Sequence, residues 1–342
     1  MHGGDIYRND IEHDFSVNIN PFGTPEEVRN ALYAAVERVE NYPDIRTQKL
    51  RRALADKLSV NEESIIFGNG ASELFNAITL ALRPKKTLIV EPAFTGYERA
   101  AKAAESEIVR YALSEENGFK ADEKIPDAIT QDMDLLFIAS PNNPTGKLLG
   151  RELTEKILDK CLKYSLTVVL DECFMTLSGR AEAESFINRL DEYPNLCVVR
   201  SFTKTYAIPG VRLGYMLSSN EELRGKINSC LSEWNISVFA EKAGLAALRE
   251  DEYLSKSTDF IAKERTVLIA ELRKIGYNVF DSDSDFILFR AERGLDKKLL
   301  QKKILIRNCS DFFALSENYY RIAVKSHLEN GLLIKHMDLR ES

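Results

Sequence analysis

The segment SFTKTYAIPGVRLGY, residues 201–215, crowds Lys204, the hydroxyls of Ser201 and Thr203, and Arg212 into one connection between two strand-like runs. A lone lysine is ordinarily a solvated surface charge, a reading that this crowded loop makes less apt. Upstream, Asp171 and Glu172 directly follow the apolar run LTVVL. A carboxylate at the end of a buried strand needs a cation or a donor. A protonated pyridine nitrogen is one such partner, and a structural ion pair is another. SPNNPTG, residues 140–146, follows DLLFIA; its prolines fix the backbone, and Asn143 could aim an amide at a ligand. GNGASE, residues 68–73, follows SIIF and opens a helix. There Gly70, Ala71 and Ser72 could form a phosphate cup from free backbone N–H groups. Each of the last two segments also reads as a plain turn.

These segments need a scaffold that brings strand ends together. From SIIFG onward, strand-like runs alternate with helical ones: TLIVEP, EIVRYAL, DLLFIAS, LTVVLDE, LCVVRSF and RLGYMLS. Several are apolar on both faces, as in a covered parallel sheet. The expected class is α/β, a sandwich with a mostly parallel sheet, and ligands of such sheets bind beyond the carboxyl ends of the strands. Near Asp251 the pattern changes to a long amphipathic helix ending at Gly276, followed by short strands and helices of a small α+β unit. Residues 1–24 read as an arm. Thr24 is a candidate N-cap, with Pro25 at the first helical position and Glu27 completing a capping box. That helix runs to about Glu40, and a second from about Asp44 to Leu58. The expected organisation is 1–40 (arm and helix packing with the small unit), 41–245 (large domain) and 246–342 (small C-terminal domain).

The formal net charge of −7 argues against a nucleic-acid partner held by a basic surface. Five cysteines, an odd number without a CxxC pair, and four histidines without ligand spacing suggest reduced thiols and no metal site. The N-terminus lacks the apolar core of a signal peptide, and no stretch is apolar enough for a membrane helix. A cytoplasmic enzyme with a small-molecule substrate is expected.

Together, xNPTG, the strand-end Asp-Glu pair and S-x-T-K-x(7)-R resemble fold-type I enzymes dependent on pyridoxal 5'-phosphate (PLP), within the aminotransferase class I/II superfamily. The resemblance covers nearly the whole chain. It implies PLP as cofactor, with Lys204 as the Schiff-base lysine and Asp171 as partner of the pyridine nitrogen. Asn143 matches the residue bonding the ring's O3' atom, and Phe94 the aromatic that stacks on the ring. Ala71, Ser72, Ser201, Thr203 and Arg212 match the phosphate cup, with Gly70 beside them. Arg321 in YYRIAV matches the arginine that grips a substrate carboxylate. Tyr42 in ENYPD matches a tyrosine that reaches the partner subunit's cofactor, which implies a homodimer.

Within the superfamily the histidinol-phosphate aminotransferase branch is nearest. HGGDIY, DFSVNINPFG, TKTYAIPGVRLGY, WNISVFA and ILIRNCSDF look more like the L-threonine-O-3-phosphate decarboxylases of cobalamin side-chain synthesis. In DECF, Phe174 stands where aminotransferases of this branch usually place a tyrosine that bonds O3'. The resemblance therefore implies a phosphothreonine decarboxylase-like activity, with a histidinol-phosphate-type aminotransferase as the alternative. Arg307 is a candidate for carboxylate or substrate phosphate, and His2 and Asn20 for closing the arm over the substrate. A non-catalytic DNA-binding regulator built on this fold is not expected, because the lysine is intact and no DNA-binding extension precedes His2.

Overall fold

The computed structural model describes residues 3–338. Its strands in chain order are β1 (His13–Asp14), β2 (Ile65–Gly68), β3 (Lys86–Glu91), β4 (Glu107–Ala112), β5 (Leu135–Ala139), β6 (Thr167–Asp171), β7 (Leu196–Ser201), β8 (Gly214–Leu217), β9 (Asn278–Val279), β10 (Phe286–Arg290), β11 (Ile304–Leu305), β12 (Arg307–Asn308) and β13 (Tyr319–Ala323). Strands β2–β8 form a seven-stranded sheet in the order β2-β8-β7-β6-β5-β3-β4. The run β7-β6-β5-β3-β4 is parallel, and β8 is antiparallel to both β2 and β7.

Successive side chains of a strand point to opposite faces. Leu136, Ile138, Val168, Leu170 and Val198 enter one apolar layer. Phe137, Val169, Cys197 and Val199 enter the other. Both faces are covered, which is why LLFIA and the central VVL of TVVLD are apolar and both strands are buried at every position.

The helix α1 (Glu26–Ala35) starts one residue later than expected, with Pro25 at the N-cap, and no side chain caps it. Thr24 instead donates its hydroxyl to the Ala207 carbonyl at 2.8 Å, tying the arm to the loop after Lys204. Helix α2 (Gln48–Leu58) has a better start. The Asp44 carboxylate accepts from the Arg46 and Gln48 N–H groups at 3.0 and 2.8 Å, and these bonds lower its pKa.

The expectation that the first helix packs with the C-terminal unit needs correction. Val28, its central buried residue, shares a core with Leu50, Leu54, Ala240 and Ala243. The helix lies along Val238–Ala247, whose alanine-rich sequence lets another helix approach closely. The arm before it does join the C-terminal unit. Strand β1 pairs in parallel with β11, and Phe15 is buried among Ile287, Phe289, Ile304 and Tyr320.

The C-terminal unit holds the four-stranded sheet β12-β13-β10-β9 and the long helix Asp251–Lys274. It also clamps the SPNNPTG loop. Asp283 N–H donates to the Gly146 carbonyl at 2.8 Å, and the Asp283 carboxylate accepts from Leu148 N–H at 3.1 Å. Gly146 has φ +73°, and a Cβ there would lie 2.1 Å from Ser282 Oγ, so only glycine fits. No helix among the described residues is long and apolar enough to cross a membrane.

Candidate active site

A cavity of about 230 Å³ opens beyond the carboxyl ends of β3, β5, β6 and β7, between the two units and the arm. Parallel strands ending at one edge bring distant sequence segments to it. Its floor is an anion cradle. Helix α3 (Ala71–Leu82) begins there, and its N-cap Gly70 has no side chain to occupy the first N–H groups. Ala71 and Ser72 line the cavity, as do Ser201, Thr203 and Arg212. Ser201 caps the short helix Phe202–Thr205, accepting from Thr203 N–H at 3.1 Å.

Gly70 plays a different part from its neighbours. Its N–H already donates to the Gly68 carbonyl at 2.7 Å. With φ +75°, a Cβ at this position would lie 2.3 Å from Arg212 Nη2. Gly70 therefore makes room for the guanidinium instead of offering a donor. Gly70→Ala should displace Arg212 and strain the turn, lowering stability by about 1–3 kcal/mol and weakening phosphate binding. Thermal melts with and without inorganic phosphate check this; an unchanged melting temperature and unchanged phosphate response would count against it.

Above the cradle lie Phe94, Asn143 and Asp171. Phe94 is the N-cap of helix α4 (Thr95–Ala103). Asp171 ends β6 and is buried; it accepts from the Tyr97 hydroxyl and from Cys173 N–H at 2.9 Å. Burial raises its carboxyl pKa, while these hydrogen bonds and the Lys204 charge act against that rise. Glu172, the next residue, points the other way. It pairs with buried Arg200 at 2.8 Å and accepts from Ser185 Oγ and Phe186 N–H. Glu172 thus makes the structural ion pair, on the opposite side of the strand from the cavity-facing Asp171.

Lys204 is half-buried in the cavity wall. Desolvation lowers its ammonium pKa, which favours the neutral amine. Its carbonyl accepts from Asn20 N–H at 3.0 Å. Asn20 does not line the cavity. Its amide donates to the Thr205 carbonyl at 3.0 Å and accepts from Phe22 N–H at 3.1 Å. In place of the expected substrate contact, the structure shows this side chain bracing the arm against the lysine segment through Oδ1 and one N–H of its amide. Asn18, two residues earlier, does line the cavity, and its Oδ1 has no partner among the described residues.

Two buried arginines meet the far wall from adjacent strands, since Arg307 and Arg321 are register partners of β12 and β13. Their electrostatic states differ. Arg307 donates from Nη2 to both Asp311 oxygens at 2.7 Å and from Nη1 to the Asn308 carbonyl at 2.9 Å. Arg321 donates to Asn143 Oδ1 and to the Ser16 carbonyl at 2.8 Å. Its Nε has no partner among the described residues. Burial pulls its pKa down to about 10. A buried guanidinium without a carboxylate partner is an anion site in waiting. The Asn143 amide is also oriented by this contact: with Oδ1 occupied by Arg321, its N–H₂ is left for a ligand.

Tyr42 is 80% exposed and lies outside its own cavity, with its ring 4.8 Å from that of Trp234. His2 lies outside the described residues.

A family model for aminotransferase class I and II matches residues 11–335. The chain belongs to this family. It is 34% identical over 325 residues to threonine-phosphate decarboxylase of Salmonella typhimurium, covering 94% of this chain and 89% of that protein. The crystal structure of the histidinol-phosphate aminotransferase from Clostridium acetobutylicum aligns with a TM-score of 0.89 and 32% identity, over 96% of this chain and 99% of that one. L-threonine-O-3-phosphate decarboxylase from Porphyromonas gingivalis aligns at 0.85 with 27% identity, over 96% and 98%. The α/β architecture with its mostly parallel sheet is the fold-type I architecture of this family.

Sequence reasoning about the family's motifs missed Tyr97, Asn18, Ser16 and Phe312, all of which line the cavity. Tyr97 had a signal, three residues after Phe94 at a helix start and so on the same face. Phe312 and the arm residues had none, because only the folding of the chain ends toward the sheet brings them there.

Proposed function

We propose that the protein is a PLP-dependent enzyme that decarboxylates a small phosphorylated amino acid of the L-threonine O-3-phosphate type. The observation that carries this reading is Arg321, a buried cation on the cavity wall that makes no ion pair among the described residues. It calls for a substrate with a carboxylate. The similarity to threonine-phosphate decarboxylase of Salmonella typhimurium supports the same substrate class.

The residues present fit the cofactor. The uncapped start of α3, with Ser72, Ser201, Thr203 and Arg212, suits a phosphate monoester. The buried Asp171 suits a protonated ring nitrogen, whose charge would offset the desolvation of the carboxylate. Phe94 would cover one face of the ring, and the amide of Asn143 would donate to its hydroxyl oxygen. Phe174 offers no second donor there; its ring packs on Phe286 at 4.9 Å. When bound, the cofactor supplies an electron sink for a bond broken at the substrate α-carbon.

The protein's own groups decide which bond that is. Arg321 would hold the carboxylate, with Asn143 and the Ser16 carbonyl fixing the angle of the guanidinium. Lys204, at lowered pKa, would take the cofactor as a neutral amine and later return a proton to the α-carbon from Nζ. Arg307, with the arm residues Gly3, Ser16 and Asn18, would face the phosphate end of the substrate, the guanidinium sharing its bonds between Asp311 and the phosphate. Closure of the arm would keep water from the α-carbon.

Incubation with L-threonine O-3-phosphate alone should release CO₂ and an aminopropanol phosphate, without a 2-oxo acid acceptor. Mass spectrometry and CO₂ detection read the result. The close alignment with a histidinol-phosphate aminotransferase favours a second reading, transamination. Turnover of histidinol phosphate that requires 2-oxoglutarate, with no CO₂ from phosphothreonine, would establish that reading instead.

We propose further that the active unit is a homodimer in which Tyr42 reaches the partner's cofactor phosphate. Its exposure and its distance from its own cavity support this. Tyr42→Ala and Lys204→Ala chains, each inactive, should regain up to about a quarter of wild-type activity when mixed and reassembled, because one mixed site is intact. No recovery despite demonstrated subunit exchange would place Tyr42 in service of its own chain.

A further inference from the structure

The sequence FTGY, residues 94–97, forms a compact unit at the start of α4. Phe94 and Tyr97 sit three residues apart and so share a face. Their rings meet edge to face at 5.7 Å. Between them, Gly96 lets the Phe94 ring fold back over the helix start, since a Cβ at Gly96 would lie 2.2 Å from Phe94 Cε1. Tyr97 is 1% exposed, stacks on Phe137 at 5.0 Å with a 5° interplanar angle, and meets Phe75 edge-on at 5.1 Å. Its ring has no freedom to turn. The one polar atom on this clamped ring, the hydroxyl, donates to Asp171 Oδ2.

Resting on the PLP reading above, we propose that Tyr97 is a positioning residue for the ring nitrogen's carboxylate. It holds Asp171 at a fixed angle and keeps it ionised in a site where burial opposes ionisation. One helix start would then supply both the face that covers the cofactor ring, through Phe94, and the support of the acid at its nitrogen, through Tyr97.

The groups around the pair are few. Cys173 N–H fills Asp171 Oδ1 on the strand side and the Cys173 thiol also bonds the carboxylate, Lys204 faces the pair across the cavity, and Glu91 lies beyond Tyr97 at the end of β3. Burial and the neighbouring Asp171 charge push the Tyr97 phenol well above its ordinary value, so it stays a donor throughout the working range. Each further donor to a buried carboxylate strengthens its ionised form. Without the phenol, Asp171 would keep donors only from Cys173, its N–H and its thiol, and none from the helix start.

The test is a double-mutant cycle on PLP affinity, measured by fluorescence titration of the apoprotein. Wild type, Tyr97→Phe, Asp171→Asn and the double variant are compared. Tyr97→Phe keeps the ring and its packing, and should weaken PLP binding roughly tenfold. In the Asp171→Asn background the same change should have little further effect, because the phenol acts through the carboxylate. A purely structural role would give equal effects in both backgrounds, and that outcome overturns the proposal. So does Tyr97→Phe with wild-type affinity while Asp171→Asn binds weakly; the cofactor reading would then survive alone. Failure of the wild type to take up PLP overturns both.

A second measurement needs no cofactor. Burial raises the folded-state pKa of Asp171, so its ionisation costs stability as pH rises from the ordinary carboxylate range through that raised value. Removing the phenol raises the folded value further. The apoprotein of Tyr97→Phe should therefore melt below wild type by a larger margin at pH 8 than at pH 4. A margin that does not vary with pH would mean that only packing was lost.

Discussion

Lys204→Ala is expected to reduce turnover by at least roughly 10³-fold, while the apoprotein still binds PLP without a covalent link. The wild type should be yellow, and borohydride should fix the cofactor to this one residue, which peptide mass spectrometry can locate. The expectation rests on where the amine sits. Lys204 lines the cavity beside the anion cradle, and burial lowers its pKa toward the range where an amine is a useful nucleophile and proton carrier. Its backbone is fixed from two sides, by Asn20 N–H on its carbonyl and by the Ser201 cap on its helical turn. No other lysine lines the cavity among the described residues. Full activity in Lys204→Ala would remove the basis of the functional reading.

Asp171→Asn should cost about 3 kcal/mol of transition-state stabilisation, a little over a hundredfold in kcat/KM. The amide is the same size, so the fold should hold and the loss should be chemical. A carboxylate keeps the ring nitrogen protonated and the ring electron-poor; an amide cannot. The loss should appear in kcat as well as in cofactor affinity. Near-normal turnover would assign Asp171 the structural duty that Glu172 performs with Arg200 on the other side of the strand.

Residue type and order alone were enough to read much of the molecule. LLFIA and TVVLD can be satisfied only between two apolar layers, so the covered parallel sheet was legible without coordinates. The strand-end rule then located the loops that meet at the cavity, and local chemistry such as the glycine before Ala71 or the Ser201–Thr203 pair followed from the sequence. What was local or periodic could be read.

The rest depends on which side chain reaches its partner first, and that is decided in three dimensions. Thr24 had the composition of a cap, but the Ala207 carbonyl lies nearer in the folded chain. Asn20 read as a candidate for substrate, but where the arm crosses the lysine segment its side chain bonds the Thr205 carbonyl and the Phe22 N–H instead. Arg307 and Arg321 were both candidates for a substrate anion; Asp311 occupies the first, while the second makes no ion pair among the described residues. Tyr97 gained its role from one hydrogen bond across 74 residues of sequence. Sequence periodicity records the average environment of an element, whereas a single hydrogen bond depends on positions to within a few tenths of an ångström, which only the packed tertiary structure sets.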